Sequence, residues 1–210
     1  MQIISKKKKL YPISEPLQEY LKTYTRSRDL PVSYADLTRY QAASSLIDKH
    51  DKDTLWATCM YGHSDEESLY KGLTQIYSQL KAAGDQAITD HLHVERVDYC
   101  TFGNTNPFRV RIVNQYNDNY DHFYVKKADA SRIYGLELED ILSPNRINYM
   151  VSGNTLIEEH IAGIPGDFFL AEILDRESTN KVRIAKEFVK FNERCFARLL
   201  GDMRAYNYVI

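Results

Sequence analysis

The sequence predicts an α+β protein, on three observations. Apolar residues recur at helical spacing through much of the first 90 positions, strand-like alternation takes over after about Asp90, and a long helical stripe returns near the end. The expected organisation is a mainly helical N-terminal region, 1–90, followed by a second domain, 91–210. That second domain should hold five antiparallel strands, one helix between them and the start of a helical lobe.

Ser14-Glu-Pro-Leu17 opens the first helix, with the Ser14 hydroxyl as cap and the proline in the first turn, where N–H groups have no intrahelical partner. A second helix is expected from Ser33 to about Ile47, because Ala35, Leu37, Tyr40, Ala43, Leu46 and Ile47 fit the helical period. Leu55 to Tyr61 reads as a buried strand. Ser64 and Glu67 form a capping box for the best-defined helix, whose stripe is Leu69, Leu73, Ile76 and Leu80 and whose end falls at Gly84.

Beyond a boundary near Thr89 to His91, Val94 to Thr101 is the first strand. After the turn Gly103 to Pro107, Phe108, Val110 and Ile112 alternate with Arg109, Arg111 and Val113 in the second. His122 to Lys127 is the third. Ser131 to Leu142 is a helix stopped before Pro144, which drives the preceding residue out of helical angles. Ile147 to Val151 and Thr155 to Ile161 flank the hairpin signal Ser152-Gly-Asn154, and a long helix with Val182, Phe188, Val189, Cys195 and Phe196 closes the set.

Composition is that of an ordinary globular chain, 43% apolar and 27% charged with a formal net charge of -2, which demands no nucleic-acid partner. The run Lys6 to Lys9 reads as a solvated tail. Cys59, Cys100 and Cys195 leave one thiol over in any pairing scheme, which points to a reducing, cytoplasmic setting. No apolar run reaches the roughly 18 residues a membrane span needs, so no membrane partner is expected.

Three stretches carry chemistry. Asp202-x-x-x-x-Asn207 follows the long helix and precedes Tyr208-Val-Ile210; Phe123-Tyr-Val-Lys-Lys127 ends a strand just before a helix holding Glu137; and Thr155 to Gly166 is an apolar-acidic run closed by Pro-Gly. Their order resembles the protein-kinase-like fold, from its N-terminal lobe through its catalytic loop, over roughly the last 55% of the chain.

The resemblance implies an ATP-dependent phosphotransferase that uses ATP and Mg. Asp202 would orient or deprotonate the acceptor, a protein or small molecule, and Asn207 would bind the metal ion. Lys126 or Lys127 would grip the phosphates and Glu137 would pair with that lysine, since it lies on the apolar helix face whereas Glu139 points away. Gly103, Asn104 and Thr105 would cover the phosphates, and Glu158, Glu159, His160 and Ile161 would offer backbone groups to the adenine edge. All are expected to line one cleft.

The sequence departs from the family pattern at Leu200 and Gly201, where a His and an Arg usually stand, and it has one glycine in the phosphate turn. It also ends before any Asp-Phe-Gly-type metal motif, so the chain reads as a fragment with little activity alone. A non-catalytic pseudokinase or interaction module, or a nucleotidyl (AMP) transferase on the same fold, are the alternatives. Two weaker constellations are His91, His93 and Glu95 as metal ligands, and Cys100, His122 and Asp121 as a nucleophilic set.

Overall fold

The structure is a computed structural model, and it describes residues 9–82, 90–103, 105–143, 146–198 and 203–210. The elements are α1 (Glu15–Thr23), α2 (Tyr34–Leu37), β1 (Ala42–Ile47), β2 (Asp53–Met60), α3 (His63–Ala82), β3 (Leu92–Cys100), β4 (Phe108–Asn114), β5 (Tyr120–Lys127), α4 (Ala130–Leu142), β6 (Tyr149–Ser152), β7 (Thr155–Glu159), α5 (Gly166–Phe168) and α6 (Lys181–Ala197). The chain divides into two compact units, Met1–His160 and Ile161–Ile210.

In the first unit, one mixed α/β body is built on a seven-stranded sheet in the order β1-β2-β3-β4-β5-β7-β6, every neighbouring pair antiparallel. The N-terminal region thus adds two strands, Ala42–Ile47 and Asp53–Met60, to that sheet beside its helices. The helix expected from Ser33 to Ile47 stops after one turn, and Ala42–Ile47 is an edge strand. Its side chains are almost all exposed, so burial imposes no alternation that the sequence could display. What makes it a strand is a non-local ladder to β2, Ala42 facing Met60 and Ser44 facing Thr58. The boundary placed near Asp90 falls between α3 and β3, yet β2 hydrogen-bonds β3 across it through Trp56↔Cys100, Ala57↔Tyr99 and Thr58↔Asp98.

Alternation gives this sheet two different faces. On one, Phe108, Val110 and Ile112 of β4 with Phe123 and Val125 of β5 pack under the α3 stripe Leu69, Leu73, Ile76 and Leu80, all buried. On the other, Tyr149, Val151 and Leu156 meet Ala130, Ile133 and Leu136 of α4 and Leu17 and Leu21 of α1.

The local signals behave as the residues predict. The Ser14 hydroxyl accepts from the Leu17 N–H, Asp129 caps α4 through the Ser131 N–H, and Gly153 takes the left-handed φ of +53° that its hairpin turn requires. The helix predicted from Ser64 starts at His63, and Gly84, its expected end, lies outside the described residues.

The second unit packs its own small core. Tyr208 sits against Phe188 and Phe191 of α6 with ring centroids 5.6 Å and 5.0 Å away. Ile164 and Ile210 exchange both backbone hydrogen bonds, and Tyr208 accepts from the Gly166 N–H. These bonds pair the apolar Tyr208 to Ile210 segment with the stretch from Ile164 to Gly166. A Cβ on Gly166 would collide with the Tyr208 ring and the Ala205 carbonyl. Gly166→Ala is expected to cost about 1–3 kcal/mol of local stability, as overpacking does. Hydrogen exchange should show the Ile164 and Ile210 amides losing protection while β4 and β5 keep theirs.

Candidate functional site

Face-to-face register writes one continuous polar row across the sheet: Ser44, Thr58, Asp98, Arg109, Tyr124, Glu158 and Tyr149, one residue from each strand. It lies on the face that α4 covers at one end, and Lys126 stands on the same face two residues along β5 from Tyr124. Such a row on one face of a sheet can persist only if each buried charge is paired.

Two carboxylates do the pairing. Asp98, with 0% of its side chain exposed, accepts from the Thr58 hydroxyl at 2.9 Å, from Arg96 Nε at 3.1 Å and from Arg109 Nη2 at 2.8 Å. Glu158 is equally buried; it takes Lys126 Nζ at 2.8 Å and a two-pronged Arg132 contact, Nε at 2.9 Å and Nη2 at 2.7 Å. Burial by itself would raise the Glu158 carboxyl; the Arg132 hydrogen bonds and the charges of Lys126 and Arg132 override it and hold it at about 2. Burial pushes the Lys126 ammonium downward, partly offset by Glu158.

Arg132 comes from the first turn of α4, only a turn beyond Lys126, and its side chain remains 43% exposed. The site thus presents two cations around one carboxylate. Arg109 lies 4.4 Å from the Trp56 ring centroid, and Trp56 approaches Tyr124 and Phe102 at 6.4 Å each, so an aromatic and cationic floor continues beside the triad. At the far side Tyr124 meets His160 Nδ1 at 3.1 Å. Burial, with Arg109 and His160 nearby, drives the His122 imidazole down to about 4, and its buried Nε2 has no hydrogen-bond partner among the described residues.

The sequence-predicted residues divide as follows. Lys126 reaches the charged face, while Lys127 shares the opposite one with Phe123 and Val125. Glu137 is not the lysine's partner. It accepts from the Tyr20 hydroxyl at 2.7 Å, from the Tyr149 hydroxyl and from Arg26 Nε at 3.1 Å, and Arg26 also holds Asp140 at 3.0 Å. That carboxylate staples α4 to α1 and β6, and β7 supplies the lysine's counter-charge instead.

Nor are the Glu158 and Glu159 backbones free for an adenine edge, because β7 is an inner strand paired with β5 and β6 on its two sides. The His160 N–H donates to the His122 carbonyl, and the Glu159 carboxylate holds Lys81 and Asn148. Ile161 belongs to the second unit and is exposed. In the turn, Gly103 and Thr105 are present, Asn104 lies outside the described residues, and the Asn106 N–H is spent on the Gly103 carbonyl.

Asp202, with Leu200 and Gly201, falls outside the described residues. Asn207 ends a short 3₁₀ helix, Ala205–Asn207, its N–H donating to the Arg204 carbonyl. As a metal ligand it would offer one neutral amide oxygen, which does not by itself make a magnesium site, a hard cation held through carboxylates.

The alternative clusters dissolve: His91 stacks on Tyr116, Glu95 binds Arg111 at 2.6 Å, and no group of three His, Cys, Asp or Glu among the described residues could hold a metal ion. The Cys100 thiol is buried and pushed up by that burial, the opposite of an activated nucleophile.

Arg132 and the carboxylate of Glu158 are what sequence reasoning missed. The closeness of Arg132 to Lys126 is readable from the short turn between β5 and α4, but the carboxylate they share comes from a strand some 30 residues on, and only the β5–β7 register brings it there. Among the described residues no helix is long and apolar enough to cross a membrane. No protein-family model, no curated protein and no solved structure matches this chain.

Proposed function

We propose that this chain carries the nucleotide-facing part of an ATP-dependent phosphotransferase of protein-kinase-like type, with Lys126 as the phosphate-gripping lysine. One observation supports this reading above the others: a lysine at the end of an inner strand, ion-paired inside the protein and next to a helix that adds Arg132. Glu158 would fix the ammonium, and the exposed flank of Arg132 would meet phosphate oxygens, for which a planar guanidinium is suited. ATP would bring the transferable phosphoryl group and its metal. Asp202 and Asn207 keep, as expectations, the acceptor-orienting and metal-binding roles that the resemblance implies.

A second reading has its own support. Lys126 and Arg109 are already neutralised by buried carboxylates, which suits a non-catalytic pseudokinase or interaction module as well as it suits a resting enzyme. Titration with a fluorescent ATP analogue separates the two. Lys126→Met should weaken nucleotide binding at least tenfold while Lys127→Met leaves it within about twofold, since a charge-assisted phosphate contact is worth about 1.5–3 kcal/mol. No binding by the wild-type protein, or equal effects of the two substitutions, would sink the phosphotransferase reading. Where binding holds, the intact mass of the modified acceptor tells phosphoryl from AMP transfer.

A further inference from the structure

On the opposite sheet face from Lys126, a cleft of about 620 Å³ opens between α2, the end of β5 and the β6–β7 hairpin. This is within the size range of small-molecule sites, which are mostly apolar with a few placed polar groups. Leu10, Ala35, Ala128 and the Tyr34 ring give the apolar walls, and Asn154 and the Thr155 hydroxyl line the hairpin side. Among the described residues the lining has one cation, Lys127, whose Nζ lies 5.4 Å from the Tyr34 ring centroid.

Lys127 forms no ion pair among the described residues, although its neighbour Lys126 is fully engaged, and it is exposed. The wall around it is held firmly. The Tyr34 N–H donates to Thr155 Oγ1 at 2.9 Å, the Tyr34 hydroxyl to the Asn106 carbonyl at 2.9 Å, and the Ala128 N–H to the Asn154 carbonyl at 2.8 Å. A pre-formed cleft with one uncompensated point charge amid apolar walls asks for a ligand of the same pattern. We infer that it is a second binding site, separate from the Lys126 face, for a small monocarboxylate with an aromatic or aliphatic body. One ammonium, a point charge on a flexible stem, balances a single carboxylate, whereas a phosphate dianion would keep one charge unbalanced among the described lining residues.

The test is a titration of the full chain with benzoate, followed by backbone amide shifts, with benzamide and inorganic phosphate as comparators. Benzoate should shift Ala35, Ala128 and Asn154 in a saturable way, benzamide should bind at least tenfold more weakly, and phosphate should leave those amides unmoved. Lys127→Gln should weaken benzoate at least tenfold and Lys127→Arg should restore most of it. Benzoate shifts that never saturate, equal binding of benzamide, equal binding by phosphate, or undiminished affinity in Lys127→Gln would each overturn the inference. Because benzamide tests the charge in the wild-type protein, the outcome stands even where a substitution disturbs the fold.

Discussion

Glu158→Gln should lower the unfolding free energy by about 3–5 kcal/mol in urea titrations, the cost of stranding buried charges without their counter-ion. Lys126 and Arg132 would then share a neutral amide where each now has an anionic oxygen. Lys126→Met should cost much less, because Glu158 would keep both prongs of Arg132. A larger loss for the lysine variant than for the glutamate variant would show that the triad is not organised around its carboxylate.

The same residue sets a pH dependence. Its carboxyl is held at about 2 when folded, against an ordinary value of about 4.3 when unfolded. A depressed carboxyl contributes its stabilisation above the unfolded value and loses it as pH falls through that interval. Wild-type stability should therefore drop steeply between about pH 4.5 and 2, and Glu158→Gln should flatten that part of the curve. The full interval corresponds to about 3 kcal/mol from the carboxylate, of which burial of Lys126 takes back a part. Parallel curves for the two proteins would refute this assignment.

Asp98→Ala is expected to be comparably severe, again about 3–5 kcal/mol, since two guanidinium groups lose the carboxylate they share. Position makes the effect distinctive. Asp98 joins Thr58 of β2 to Arg109 of β4, and the β2–β3 ladder is only three residue pairs long. Hydrogen exchange should therefore speed up first in β1 and β2, before β4 and β5. Uniform loss of protection across the sheet would mean that Asp98 supports the core as a whole and not that junction.

Much of the fold was legible in the residues. The α3 stripe, the α4 boundaries, the caps at Ser14 and the alternation of Phe108, Val110 and Ile112 all record local burial, which a helix or strand imprints at a fixed period. The same period placed Lys126 and Lys127 on opposite faces of one strand. It could not say which face carried the charges, because that depends on what α3 and α4 cover.

Three decisions belonged to tertiary structure. Ala42–Ile47 became a strand because β2 offered an edge, although its own exposed side chains carried no strand alternation. Glu137 went to Arg26, Tyr20 and Tyr149 because α1 folds back beside α4. Glu158 became the partner of Lys126 because β7 inserts between β5 and β6, bringing a carboxylate opposite Tyr124. The sequence by itself determined the long helices and most of the strands, since those depend on neighbours a few residues away, but it did not determine Ser33 to Ile47. The pairing of buried charges was decided only in three dimensions, because the desolvation that forces a carboxylate to find a cation exists only once distant strands have closed around it.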